Sequence, residues 1–124
     1  MKEYKFRAWD SLAEKMYSWT ELLNQNLKNI FTIPEQCGYH LMQYTGLTDK
    51  NGKEIYEGDI VKFRFKDDRK EFPDLIGYIE YQTTFTAFRI MSNQGSFKID
   101  ITEIKFIEVI GNVYDNKNLL EKGE

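Results

Sequence analysis

Residues Leu41 to Phe65 read LMQYTGLTDKNGKEIYEGDIVKFRF. Leu41-Met42-Gln43-Tyr44 is a short apolar run that ends at Thr45-Gly46, and Thr48 to Lys53 is dense in turn formers. Asn51-Gly52 is the strongest two-residue turn signal in it, because both residue types accept positive φ. Ile55-Tyr56 follows, then a second bend at Glu57-Gly58-Asp59, where glycine supplies a φ that a side chain resists. Ile60 to Phe65 then alternates: Val61, Phe63 and Phe65 fall on one face of a strand, Ile60, Lys62 and Arg64 on the other. A glycine bend that leads into an alternating strand is common in small SH3-like barrels, where it lets the chain leave one strand pair and enter the next.

Asp49-Lys50-Asn51-Gly52-Lys53-Glu54 has a superficial likeness to a calcium loop. An EF-hand places glycine sixth and a bidentate glutamate twelfth. Here the glycine is fourth and no amphipathic helix flanks the loop, so a hairpin turn is the expectation.

The stretch QYTGLTDKNGKEIYEGDIVK resembles the signature of the YopX family, small proteins encoded mainly by bacteriophages and prophages. Tyr4-Lys5-Phe6-Arg7-Ala8-Trp9-Asp10 is similar to the family's N-terminal KFRAWD. Phe106 to Asn116 (FIEVIGNVYDN) is similar to its C-terminal FEVIGNIYEN. The three blocks stand in family order and bracket nearly the whole chain. Lys117 departs from the pattern, because the family often has a proline there before its last short helix. The resemblance implies a phage or prophage origin, a β-rich fold and self-assembly. It implies no established activity, so no catalytic residue is carried over.

At 124 residues the default is one domain. Seventeen basic and twenty acidic side chains leave a net charge of −3, which argues against a general nucleic-acid binder but allows a local basic patch. Aromatic residues make up 15 % of the chain, enough to favour strands and supply a core despite the modest apolar total. Cys37 is the only cysteine, so no intramolecular disulfide forms and a reducing cytoplasm, that of the bacterial host, is expected. No long apolar run suggests a signal peptide or a membrane span.

The fold expected is mainly β: an SH3-like, partly open barrel over residues 40–115. Residues 1–39 form an N-terminal hairpin and one amphipathic helix, and residues 116–124 a short closing helix and a tail. In the N-terminal part Tyr4, Phe6 and Ala8 alternate with Lys5, Arg7 and Trp9, and Met16 to Trp19 returns. Ser18 and Glu21 fit a capping box, and Leu23, Leu27 and Ile30 follow on one helical face that stops before Pro34. Beyond the charged loop of residues 66–74, strands are expected at Ile76–Tyr81, Thr84–Met91, Phe97–Ile101 and Phe106–Tyr114. A helical turn is expected at Thr102–Ile104, and Asn116 is expected to cap the closing helix.

The case for catalysis is thin. His40 and Cys37 are the only histidine and cysteine, three residues apart. A Cys–His nucleophile needs facing side chains and an orienting group, and structural zinc needs about four ligands. A partly exposed structural His40 is the expectation. The carboxylates Asp67-Asp68, and Asp115 near Glu108, read as solvated. No phosphate-binding loop or nucleophile elbow occurs. No catalytic residue, cofactor or metal site is therefore expected.

Two binding surfaces are candidates. Lys62, Arg64 and Lys66 share a strand face, and Lys5 and Arg7 repeat the arrangement beside Trp9. Basic groups next to aromatics suit a nucleic-acid backbone, although the same charges also serve to solvate a barrel and blunt an edge. Tyr17, Trp19, Leu22 and Leu27 are the candidate interface for self-association, with packing of the helix on its own barrel as the alternative. The expected function is that of a non-enzymatic phage or prophage accessory protein that binds, either to copies of itself or to a host or phage protein. The alternative is a nucleic-acid-binding module.

Overall fold

A computed structural model describes residues 3–24, 38–65, 73–93, 95–99 and 104–121. Nine strands and two short helices are found there. In chain order they are β1 (Phe6–Asp10), β2 (Lys15–Tyr17), α1 (Trp19–Leu23), β3 (Tyr39–Thr48), β4 (Glu54–Tyr56), β5 (Asp59–Phe65), β6 (Leu75–Gln82), β7 (Ala87–Ser92), β8 (Gly95–Lys98), β9 (Ile104–Asn112) and α2 (Asn118–Glu121). The chain is mainly β, as the alternating patterns predict.

The strands form two antiparallel sheets. One has four strands in the order β2-β1-β3-β4, and the other five in the order β8-β7-β6-β5-β9. The five-stranded sheet is a meander whose last strand returns beside its first. It curls on itself: Phe97 of β8 lies 4.9 Å from Phe65 and 6.0 Å from Phe63 of β5, ring to ring, although β6 and β7 separate the two strands in the ladder. Its interior holds Val61, Phe63, Ile79, Ile90 and Ile104, with Ile55 of β4 inserted. Val61 and Phe63 occupy the face that the alternation assigned to them, and Phe65 packs against the same cluster.

In the other sheet the N-terminal hairpin is a full member. β1 pairs with β3 from Phe6↔Gln43 to Asp10↔Tyr39. A second, smaller apolar cluster sits under α1, where Leu22 and Ala8 are fully buried among Phe6, Tyr17, Trp19, Tyr39 and Leu41. The capping box is present: the Ser18 hydroxyl accepts from Glu21 N–H, and the Glu21 carboxylate accepts from Ser18 N–H. That cap fixes the helical phase. Tyr17 before the cap and Leu22 after it both join the cluster, as a hydrophobic staple does. The expected stripe therefore shifts by one residue: Leu22 turns inward and Leu23 is exposed. Leu27, Ile30 and Pro34 lie outside the described residues, as do most of the 66–74 loop and Thr102-Glu103.

Three further details differ from the sequence reading. Ile104 is the first residue of β9, not part of a helical turn, because it pairs with Phe65. The turn between β6 and β7 falls at residues 83–86 rather than at Gln82-Thr83. The Asn116 side chain does not cap α2. Its Oδ1 accepts from Asn112 N–H at 3.2 Å, and the Asn116 carbonyl accepts from Leu119 N–H at 2.9 Å.

β6 and β7 approach closely at Gly77, where a Cβ would stand 2.5 Å from the Met91 carbonyl oxygen and 2.8 Å from Ile90 Cγ2. Relief would require the β7 backbone to move. Gly77→Ala should therefore cost about 3 kcal/mol, the upper part of the range for overpacking, read as a lower urea midpoint at unchanged slope. A loss below about 0.5 kcal/mol, typical of a surface site, would mean that the two strands part freely.

Candidate functional site

The two sheets are joined at the bend between β4 and β5. Glu57 N–H donates to the Gln43 carbonyl and the Glu57 carboxylate accepts from Gln43 N–H, which ties the bend to β3. Gly58, at φ +83°, donates to the Ile79 carbonyl of β6 and accepts from Val113 N–H after β9. Asp59 is buried. Its Oδ2 accepts from Tyr56 N–H at 2.8 Å, and its Oδ1 meets the Arg7 guanidinium of β1 at 2.8 Å. Arg7 also donates to the Glu57 carbonyl and lies over the Tyr56 ring, 4.9 Å from its centroid. Burial pushes the Asp59 carboxyl above its ordinary range, while the Arg7 charge and the Tyr56 N–H pull against that. Arg7 Nε is buried without a hydrogen-bond partner among the described residues.

A second carboxylate fastens the β3–β4 hairpin. Asp49 Oδ1 accepts from Asn51 and Lys53 N–H, closing the turn, and Oδ2 accepts from Val109 N–H of β9 at 2.9 Å. Lys50 N–H adds a bond to the Ile107 carbonyl. Burial pushes the Asp49 carboxyl up, but the three N–H donors together outweigh it and leave the group below the usual carboxylate range. The expected hairpin turn is what the stretch forms.

Two clefts of about 430 Å³ flank this framework. The first opens beside Lys5 and Arg7 at the start of β1. Trp19 and Thr20 of α1 line it together with Lys53, Glu54 and Tyr56. Lys5 is bonded to Glu54, with Glu3 at 3.4 Å. The second cleft is mixed: Tyr44 and Leu47 of β3 line it with Tyr81, Phe88 and Ile99, and Glu3, Gln43, Thr45 and Thr86 add polar groups. Leu47, Tyr81 and, in the adjoining turn, Phe85 are exposed, at 38 %, 40 % and 53 %.

The candidate residues from sequence scatter over this framework. Arg7 is 12 % exposed at its side chain and is engaged with Asp59. Lys62 and Arg64 remain on the outer face of β5. Arg64 forms a close pair with Asp74, 2.7 Å, and lies over the Phe106 ring, whereas Lys62 shares Glu108 with Lys50 at 3.8 Å. Lys66 lies outside the described residues. Among the interface candidates, Leu22 is buried in its own chain. Tyr17 and Trp19 are half-buried, and Leu27 is outside the described residues. His40 is exposed and stacks on Tyr114 at 5.4 Å, with Trp9 on the same ring at 5.3 Å. Cys37, Asp67 and Asp68 fall outside the described residues. Asp115 accepts from the Asn112 amide and is not paired with Glu108. No group of three or more metal-ligating side chains occurs among the described residues, and none of their helices is long and apolar enough to cross a membrane.

The carboxylates Asp49 and Asp59, together with Lys53 and Tyr56, escaped the sequence reading. A signal was present for Asp59, since an acid directly before Ile60-Val61 at a strand start needs a buried partner. Nothing local signals that Asp49 reaches Val109.

A family model described as YopX protein matches residues 5–121. Among solved structures, protein EF1440 from Enterococcus faecalis is similar, with a TM-score of 0.65 and 23 % identity, covering 97 % of this chain and 99 % of that one. That likeness is one of fold. No curated protein matches the chain.

Two outcomes follow from the paired carboxylates. Arg7→Met leaves a buried carboxylate alone and should cost about 3–5 kcal/mol. The double variant Arg7→Met/Asp59→Asn should lose clearly less than the sum of the single losses, and strict additivity in urea unfolding would mean that the pair is not coupled. Asp49→Asn should lose about 2 kcal/mol at pH 7, as for a hydrogen-bonded charge. Because the folded Asp49 value is depressed, its contribution is full above the unfolded value of about 3.9 and disappears as pH falls through the folded one. The gap between wild type and Asp49→Asn should therefore close below about pH 4. A gap that is the same at pH 7 and pH 2.5 would show that charge plays no part.

Proposed function

The chain is a member of the YopX family, and from that membership we propose that it is a phage- or prophage-derived accessory protein that acts by binding, first of all to copies of itself, and not by catalysis. The bacterial host cytoplasm is its expected setting. The observation that supports this reading most directly is the group of exposed apolar side chains at the cleft between β3 and the β6–β7 hairpin. Leu47 and Tyr81 line that cleft and Phe85 stands in the adjoining turn, all three open to solvent, with Glu3, Gln43, Thr45 and Thr86 supplying polar groups around them. Exposed apolar side chains grouped within a polar rim mark an association site. The cleft also lies away from α1, where the sequence placed the interface, and Leu22 is consumed there by packing on Ala8. Association through the β6–β7 end is therefore favoured over association through α1.

The expected behaviour is a mass at least twice 14.8 kDa by light scattering at micromolar concentration. Leu47→Glu and Tyr81→Lys should each return the protein to monomer with unchanged circular dichroism, because both side chains are exposed. A monomeric wild type would overturn the reading. Oligomers that survive both substitutions would move the interface elsewhere.

A further inference from the structure

The cleft beside Lys5 and Arg7 shares no lining residue with the one between β3 and the β6–β7 hairpin. Its carboxylates are already satisfied. Glu54 is held by Lys5. Glu21 accepts from Ser18 N–H and pairs with Lys15 at 3.3 Å. What remains unused are donors. The Lys53 ammonium is exposed and has no carboxylate partner among the described residues. The Tyr56 and Thr20 hydroxyls have no hydrogen-bond partner there either; a phenol is a donor at neutral pH, and burial raises the Tyr56 value further. Two rings complete the cleft: Trp19, packed against Phe6 at 6.1 Å, and Tyr56, fixed beneath Arg7.

A ligand that satisfies such a site brings acceptors and negative charge to Lys53, Tyr56 and Thr20, and a flat apolar surface to Trp19. A phosphate offers acceptor oxygens in several directions, whereas a carboxylate offers two in one plane. The volume of about 430 Å³ lies in the range of small-molecule pockets. Aromatic side chains stack on any base. We propose that this cleft is a nucleotide-binding site, taking a planar heteroaromatic ring against Trp19 and its attached phosphate against Lys53, Tyr56 and Thr20. The same chemistry is presented by a free mononucleotide and by the 5′-phosphorylated end of a single strand.

The test is a calorimetric titration of the full chain with adenosine 5′-monophosphate, adenosine, inorganic phosphate and a short 5′-phosphorylated single strand. The monophosphate or the strand should bind saturably, at least about tenfold tighter than adenosine or phosphate alone, as expected when a charged hydrogen bond is added. A strand that binds tighter than the monophosphate assigns the site to strand ends. Equal or tighter binding of the monophosphate assigns it to free nucleotide. Lys53→Glu should weaken binding about tenfold or more, and Tyr56→Phe, which keeps the ring beneath Arg7, by a smaller factor. Lys62→Glu, outside the cleft, should leave it unchanged. The proposal is overturned by the absence of saturable binding to either phosphorylated probe, or by binding that Lys53→Glu leaves intact. Light scattering on the same samples reports the assembly separately, so failure of one reading is distinguishable from failure of the other.

Discussion

The pairing of Arg7 with Asp59 is the constraint on which the remaining architecture depends. A carboxylate at the start of β5 is driven into the junction between two sheets, and it stays there only because a guanidinium from β1 and the Tyr56 N–H meet it. Such a pair does little for stability when compared with an apolar filling, but it permits one geometry only. The neighbouring Glu57 and Gly58 work in the same sense. One residue binds β3, the next binds β6 and the segment after β9, and the third binds β1. Three consecutive residues thereby set the relative placement of strands drawn from all parts of the chain.

That placement explains how far the sequence could be read. Alternation in Val61, Phe63 and Phe65 reports the inner face of β5 because burial acts on each strand separately. The Asn51-Gly52 turn and the Ser18–Glu21 capping box were legible for the same reason: each is completed within a few residues. The site was less legible because its parts are completed at long range. Lys5 and Arg7 look like a solvated basic pair on their strand, yet their partners Glu54 and Asp59 are about fifty positions away. Leu22 and Leu23 are equivalent in composition, and only the cap and the staple with Tyr17 decide which turns inward. The YopX blocks, by contrast, were recognisable because Gly58, Asp59, Gly111 and Asn112 sit where the geometry leaves few alternatives. At Gly111, for instance, a Cβ would lie 2.5 Å from the Asn116 side chain.

The two clefts divide the chemistry between them. One sets exposed Leu47 and Tyr81 among polar neighbours, the other has paired acids and spare donors. Both borrow rigidity from the same junction. Tyr56 sits beneath Arg7 in the donor-rich cleft, and Tyr44, 5.5 Å from Tyr56 ring to ring, lines the other. A ligand in the first and a partner on the second would thus contact neighbouring rings of one framework.

The junction also dictates the order in which the protein can be made. Residues up to Asp59 already contain both partners of its ion pair, so the four-stranded sheet can begin to organise while the chain is still emerging from the ribosome. The Gly58 carbonyl, however, accepts from Val113, and the Asp49 carboxylate waits for Val109. Loop closure over such separations makes the final step slow relative to local hairpin formation. Until the last strand arrives, the first half carries an open corner with a charged, half-satisfied interior, a nascent form exposed to chaperones and proteases in a way that the finished molecule is not.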